Sequence, residues 1–321
     1  MLPNPQDITN RDDETPLWSV FAGLISVMVT PLLFVGGPDY SSGPLIRSAW
    51  NLGHIALFAL VTLAIRPWRF GRGWKLWAGV TAGILLLGGA IEVIQGMTGR
   101  VMDPHDLFRN LLGCWLVLGF QPVLMRSSGR SATSSLIAAL VTLLLLLETS
   151  TTAQVAMRQF HVHRLLPALY DFQTTGLRAF WNGNVVATSV PENSSDKEQA
   201  AVALNLDTGA YSGASLNNFP GDWRGYERLI VELYNPSDTP LDMTLRIHDL
   251  THDRGQQIYA DRFNTRLALN PGANRFDIDL SRIARAPAQR PMDMSEVRRI
   301  GLFASRLPAP RTIYLTGLRL E

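Results

Sequence analysis

The sequence predicts an α-helical transmembrane bundle of five spans followed by an all-β jelly-roll sandwich. Three observations carry this expectation. Leu, Val, Ile, Ala and Gly runs dominate the chain up to about residue 157. From Asp171 onward, short runs alternate apolar and polar residues between turn signals. One dense polar stretch, Ile91–Gly113 (IEVIQGMTGRVMDPHDLFRNLLG), lies between two long apolar runs in the first half. The expected organisation is a cytoplasmic tail at 1–16, a five-helix membrane domain at 17–157, a juxtamembrane linker at 158–170 and a sandwich at 171–321.

The five apolar segments are about Trp18–Val35, Ala49–Ile65, Leu76–Ile94, Leu107–Met125 and Ser135–Thr152. Each approaches the roughly 20 residues a helix needs to cross about 30 Å of hydrocarbon. Pro31 and Pro122 fall near segment ends, where a missing N–H is tolerated. Trp18, Trp50, Trp68, Trp74 and Trp77 cluster near the ends, as interfacial aromatics do. The first run follows Arg11-Asp-Asp-Glu14 and lacks a small-residue cleavage site, so no cleavable signal peptide is expected. The loop after segment two carries Arg66, Arg69, Arg72 and Lys75, and the loop after segment four carries Arg126 and Arg130, neither with an acid. Basic loops stay cytoplasmic, which places the amino terminus inside and the second half outside.

Composition excludes some classes. The 321 residues are 46% hydrophobic and 17% charged with net charge +2, and they show no basic stripe, so nucleic acid is not an expected partner. The single cysteine, Cys114, sits in an apolar run and rules out an intramolecular disulfide. No Ser-centred nucleophile motif, metal-ligand signature or phosphate-cradling loop is present.

The polar stretch gathers Glu92, Gln95, Arg100, Asp103, His105, Asp106, Arg109 and Asn110. Desolvating such groups costs several kcal/mol each, so their density needs a cause. Asp103-Pro104 reads as a helix start, with Asp as cap and Pro at the first position. Asp106 then also suits the positive helix end. Arg100 and Arg109 read as snorkelling residues, and His105 as facing water. Capping leaves Glu92, Gln95 and Asn110 unexplained, and likewise His54 in the second segment. Glu92 with Gln95, and Asp106 with Asn110, each share a helical face near the outer leaflet. An internal hydrogen-bonded network and a functional site both stay open for this layer.

These residues resemble the pattern of the VanZ-like family of small membrane proteins, named for a member linked to teicoplanin resistance. The pattern is a histidine in an early helix, E-x-x-Q, an arginine, then D-x-x-x-N-x-x-G. Here it falls on His54, Glu92-Val-Ile-Gln95, Arg100 and Asp106-Leu-Phe-Arg-Asn110-Leu-Leu-Gly113. The resemblance covers segments two to four and lacks the usual lysine before the histidine, Arg47 being the nearest base. It implies a role in envelope integrity or glycopeptide resistance, with these six residues as a binding or catalytic site.

In the second half, candidate strands are Ala200–Asn205, Arg228–Tyr234, Met243–Asp249, Gln257–Asn264, Arg275–Leu280, Arg299–Ala304 and Thr312–Leu320. Asn235-Pro-Ser-Asp and Asn270-Pro-Gly-Ala are turns, and Asp293-Met-Ser-Glu296 reads as one capped helical turn. The features Asp171-Phe172, Gly221-Asp-Trp223-Arg-Gly-Tyr226, Asp279-Leu-Ser281 and Met294–Leu302 resemble galactose-binding-like jelly rolls used as carbohydrate-binding modules. Trp223 and Tyr226 read as core. Arg246, His248, Tyr259 and Asp261 are candidates for a concave sugar site, against the alternative of a solvated sheet face. The resemblance also raises a structural calcium, for which Asp171 and Glu321 are candidate ligands; no other cofactor is evident.

Two functions remain from the sequence. In one, the membrane site binds, and by some chemistry modifies, a lipid-linked or cell-envelope glycan headgroup in a bacterial inner membrane, while the periplasmic sandwich holds sugar. In the other, a non-enzymatic scaffold or sensor uses the sandwich to bind protein. Either reading requires the same topology. Reporter fusions at Gly129 and Glu321 should give a cytoplasmic and an extracytoplasmic signal respectively, and an outside signal at Gly129 would overturn it.

Overall fold

The computed structural model describes residues 16–33, 37–38, 42–97, 104–124, 132–174, 176–191 and 199–321. The chain divides into two compact units at Met157/Arg158. A helical half is followed by a β-sandwich of two sheets.

The helical half contains α1 (Leu17–Val29), α2 (Pro44–Ile65), α3 (Gly73–Met97), α4 (Pro104–Leu124) and α5 (Ala132–His163). Pro44 opens α2 at its first turn, and Arg66 ends it in the left-handed conformation, with φ of 54°. Among the described helices, three stretches are long and apolar enough to cross a membrane: Pro44–Arg69, Gly73–Ile91 and Ala132–His163. The apolar run Leu17–Leu32 is shorter, because α1 closes into a single tighter turn at Thr30–Leu33, where Pro31 sits. The fourth expected span, α4, carries Asp106 and Arg109 and differs from the others in burial. Asp106, Asn110, Leu112, Cys114, Val117 and Leu118 are all buried, so it lies at the centre of its unit.

Close approach explains that position. A Cβ on Gly113 of α4 would stand 2.3 Å from the Ile55 carbonyl oxygen of α2, which only glycine avoids. Conversely, Leu86 of α3 and Leu136, Leu140 and Leu143 of α5 are exposed, as lipid-facing positions would be. The expected linker at 158–170 is instead helical to His163. The polar residues of α5 fold back on its own backbone: Thr149 Oγ1 donates to the Leu145 carbonyl at 2.8 Å and Thr151 Oγ1 to that of Glu148 at 2.8 Å. A polar run therefore continues the helix rather than ending it.

The second half has one antiparallel sheet ordered β1-β4-β9-β6-β7 and another ordered β2-β3-β10-β5-β8. The strands are β1 (Trp181–Gly183), β2 (Val185–Ser189), β3 (Ala200–Leu206), β4 (Ser212–Leu216), β5 (Arg228–Asn235), β6 (Leu241–Asp249), β7 (Phe263–Leu269), β8 (Gly272–Asp279), β9 (Val297–Ala304) and β10 (Arg311–Leu320). Alternation builds the core directly: Met243, Leu245 and Ile247 of β6 are buried against the other sheet's Leu229, Val231 and Leu233 of β5. Trp223 is buried, and its indole N–H donates to the Pro220 carbonyl at 3.0 Å, as a core tryptophan requires.

Three expectations are corrected. The strand placed at Gln257–Asn264 begins later, at Phe263; Tyr259–Asp261 forms a tight helical turn instead. Asp293–Glu296 is a capped turn that does not continue into a helix: Asp293 Oδ1 accepts from the Ser295 amide at 2.9 Å, and the Glu296 amide donates to the Asp293 carbonyl at 3.2 Å. The five-residue helices α6 (Leu250–Arg254) and α7 (Leu280–Ala284) are additional, each started by an aspartate cap, Asp249 on the His252 amide and Asp279 on the Ser281 amide.

Candidate functional site

Two constellations of polar residues stand out, one in each half. In the helical half α2 brings His54 against α4. Its Nδ1 lies 3.0 Å from Asn110 Oδ1 and its Nε2 lies 3.4 Å from Asp106 Oδ2. Arg109 then continues the chain. Its NH1 donates to Asp106 at 2.7 Å and its Nε donates to Glu148 of α5 at 2.7 Å. His105 Nε2 stands 3.6 Å from the other Glu148 oxygen. Ser48 and Thr152 bond at 2.7 Å and tie α2 to α5 a turn further along.

The helical site thus joins His54, Asp106 and Asn110, three of the six residues expected from sequence. Glu92 and Gln95 belong to the α3 helix, but their side chains lie outside the described parts; Arg100 and Asp103 lie outside the described residues. Arg109 is a correction: it does not snorkel but turns inward between two carboxylates. Glu148 is an addition. Its place inside LLLLLETS hides it among apolar residues, and the hint available was a lone acid in an otherwise uncharged span. Beside this network a cavity of about 430 Å³ opens between α1 and α2, lined by Val29, Leu32, Ile46, Trp50, His54 and Leu57. Among the described residues that line it, the histidine is the titratable one and the others named are apolar.

The second constellation is the outer face of β1-β4-β9-β6-β7. Register defines its rows. Asn182, Ser215, Gly301, Arg246 and Asn264 align across the five strands. Gly213, Phe303, Thr244 and Arg266 form the next outward row, and Arg299 pairs with His248 in the one beyond. Gly301 makes room for the Arg246 and Ser215 side chains that lie over it, and Gly213 lets β4 pack closely on β9, where a Cβ would meet the Leu302 carbonyl. The Arg246 guanidinium lies over the Phe303 ring at 5.9 Å and that of Arg262 over Tyr259 at 5.0 Å. Tyr211, 77% exposed, stands edge-on to Phe303, and Tyr259 is 68% exposed. Among the described residues, no hydrogen-bond partner meets Arg262 Nε, Asn264 Oδ1 or Asn217 Oδ1, all buried.

Arg246 and Tyr259 therefore belong to an open face, whereas His248 and Asp261 do not. His248 is 3% exposed under α6, its Nε2 3.0 Å from Asp253 Oδ1 and its ring 4.5 Å from that of His252. Asp261 serves Arg290, at 2.9 Å from NH2, and His252, at 3.3 Å. Alternation put His248 on the outer face correctly, but α6 then covers it. Arg262, Asn264, Arg299, Tyr211 and Phe303 were missed because their role depends on strand register.

The charges around His248 have definite directions. Burial holds the imidazole below its ordinary value of 6.5, outweighing the favourable Asp253. Burial alone would push Asp249 up, but Arg290 and the amides of Asp293 and His252 bring it below its ordinary value of 3.8. Asp253 is likewise lowered despite burial, by His248 and the nearby arginines.

The expected calcium finds no cluster. Among the described residues, no group of three or more His, Cys, Asp or Glu is placed to hold a metal ion. Asp171 is engaged by the Gln173 amide at 3.0 Å and His161 at 3.5 Å, and Glu321 by Arg275 at 3.3 Å and Arg319 at 3.0 Å. The antiparallel bridge of Ala168 with Arg319 carries the chain away from Glu321 by residue 171.

No family model matches the chain, and no curated protein matches it. Among solved structures it is similar to an exo-β-agarase, with 13% identity and a TM-score of 0.38 over 48% of this chain and 24% of that one. It is also similar to a family 11 carbohydrate-binding module from Clostridium thermocellum in complex with a β-1,3-1,4-mixed-linked tetrasaccharide. There the identity is 10% and the TM-score 0.36, over 48% of this chain and 94% of the module. A carbohydrate-binding module specific for non-crystalline cellulose gives 10% and 0.32, over 49% and 93%. The chain spans about a quarter of the agarase.

Two outcomes follow from the geometry. Glu148→Ala leaves the Arg109 guanidinium buried with half its carboxylate partners, and should cost about 3–5 kcal/mol. Arg109→Met with Glu148→Leu should recover only part of that loss, because the buried Asp106 then keeps His54 alone beside it. Thermal unfolding in detergent checks both, and a Glu148→Ala protein as stable as the parent would remove the network's structural role. In the sandwich, His248 is neutral when folded and takes up a proton more readily when unfolded. Stability of this corner must therefore fall as pH drops below 6.5, and fall again below 3.8 as Asp249 and Asp253 protonate. Hydrogen exchange of the 245–262 segment, corrected for intrinsic rate, should show the first loss between pH 7 and 5. His248→Gln should flatten that step alone.

Proposed function

We propose that the chain is a membrane-anchored glycan-binding protein of a bacterial inner membrane, its sandwich held on the extracytoplasmic side. The observation that carries this is the outer face of β1-β4-β9-β6-β7. Its polar atoms Arg262 Nε and Asn264 Oδ1 are buried without hydrogen-bond partners among the described residues, and the exposed tyrosines Tyr211 and Tyr259 flank it. Leaving a buried donor or acceptor unmatched costs about 1–3 kcal/mol, so a ligand rich in hydroxyls is favoured there. Tyrosine rings supply flat amphipathic surface for the sugar faces.

The topology of five spans with the amino terminus inside belongs to the same reading and rests on the basic loops. So does the VanZ-like identity of the helical half, which is supported by the meeting of His54, Asp106 and Asn110. In that half the cavity beside His54 suits the hydrocarbon of a lipid-linked saccharide or another membrane lipid, with the histidine at its polar limit. The network itself holds helices together, and no group transfer is assigned to it. The alternative reading, a scaffold or sensor whose sandwich binds protein, draws on the adjacent exposure of Ile258 at 54% and Tyr259 at 68%.

Affinity electrophoresis of the full chain in detergent against soluble glycans tests the proposal. At least one glycan should retard the protein, and Tyr211→Ala or Asn264→Ala should weaken that binding about tenfold without altering the thermal transition. Retardation unaffected by either substitution would move the site elsewhere.

A further inference from the structure

We infer that the helical half holds a phosphate group at the far end of α2, on Arg66 and Trp68. The inference rests on the membrane-anchored reading above and is independent of the glycan face. Arg66 is 7% exposed, and its guanidinium stands over the Trp18 ring at 5.7 Å. Among the described residues, no hydrogen-bond partner meets its Nε or Nη1, nor the indole Nε1 of Trp68, all three buried. The fold brings no acid to them. The described carboxylate side chains of the helical half are those of Asp106 and Glu148, and both are taken by Arg109. Thr62, one turn earlier, is committed as well. Its hydroxyl donates to the Phe58 carbonyl at 2.7 Å, and its own carbonyl accepts from the Arg66 amide at 3.0 Å.

A snorkelling arginine would carry its head into water, whereas this one is folded in against a ring. It also ends α2 in the left-handed conformation, where glycine is the usual residue. A buried guanidinium with two open donors is stabilised by an anion that takes both, and its planar fork suits phosphate oxygens. The Trp68 indole is a donor only, so it too calls for an acceptor. Level selects the anion. Ile65, Phe70 and Trp74 are exposed apolar residues around this end, as at the edge of a bilayer. Arg66, Arg69, Arg72 and Lys75 follow one another without an acid, so the local field favours negative charge. Where the hydrocarbon ends, the anionic groups of a bilayer are phosphates, and soluble phosphate presents the same oxygens. The site is separate from the cavity at His54, since twelve residues of α2, about 18 Å of rise, lie between them.

The test titrates the full chain in maltoside micelles with three probes: phosphatidylglycerol, the diacylglycerol of the same acyl chains, and inorganic phosphate. Binding is read from the shift of the thermal transition. Expected is an apparent affinity for phosphatidylglycerol about tenfold or more above that for diacylglycerol. Arg66→Gln should erase the preference, and Trp68→Phe should reduce it several-fold while keeping an aromatic ring. Lys75→Gln, exposed on the same stretch, should leave most of it. Stabilisation by millimolar inorganic phosphate, lost in Arg66→Gln, would support the site with soluble phosphate as its source. Equal binding of the two lipids without a response to phosphate would overturn the inference. So would a preference unchanged in both Arg66→Gln and Trp68→Phe. Alkaline extraction of membranes separates this result from the wider reading. A chain that resists extraction but shows no phosphate preference overturns the site alone, and a chain released by extraction overturns both.

Discussion

The Arg109 guanidinium, held between Asp106 of its own helix and Glu148 of α5, is the constraint on which the helical half depends. A charge inside an apolar bundle is tolerable only when neutralised in place, and α4 can carry one because its neighbours enclose it. His54 approaches the same Asp106 at 3.4 Å, so the set joins residues of three helices. Such a set fixes rotation as well as distance. If α4 turned by one residue, Arg109 would point at lipid and Gly113 would lose its place against the Ile55 carbonyl. Apolar contacts alone, exchangeable with lipid tails, would not specify that rotation.

The same principle works in the sandwich with a different result. Asp249 has no exposed surface, yet it caps α6 through the His252 amide, accepts from the Asp293 amide at 2.8 Å and receives Arg290. Arg290 reaches Asp261 as well, so one arginine fastens both ends of the 249–261 excursion. That excursion is what buries His248, and it is also what holds Tyr259 out beside Arg262. The inward polar network and the outward aromatic edge are thus two sides of one segment. Its charges are committed to structure, which leaves the neighbouring strand positions to bear the character of the face.

Much of this was readable from the sequence where a local pattern carried it. Long apolar runs located the helices, although the last one runs well past its expected end at Thr152 to His163, and alternation located six strands, because both signals come from the chain's own period. The misplaced strand at Gln257–Asn264 arose where Ile258 and Tyr259 imitate alternation while Asp261 is bound inward to Arg290. The strands β1, β2 and β4 are only three to five residues long, too short for alternation to stand out, and β1 and β4 are also rich in Gly, Ser or Asn. In the helical site, Asp106 and Asn110 were legible from their spacing. Glu148 was not, since nothing within its own helix marks a partner that lies 39 residues away at Arg109.

Polar residues in this chain therefore divide by what surrounds them rather than by type. Arg109 and Arg290 are each met by two carboxylates and act as fasteners. Arg246 and Arg262 each stand over an aromatic ring, at 5.9 Å and 5.0 Å. A fastener gains its energy within the fold, and replacing both partners with apolar residues can be neutral. A ring attracts a guanidinium through its face without fixing its donors, so the two kinds of arginine answer differently to substitution: a fastener loses its hold with its carboxylates, and a ring-backed one with its ring.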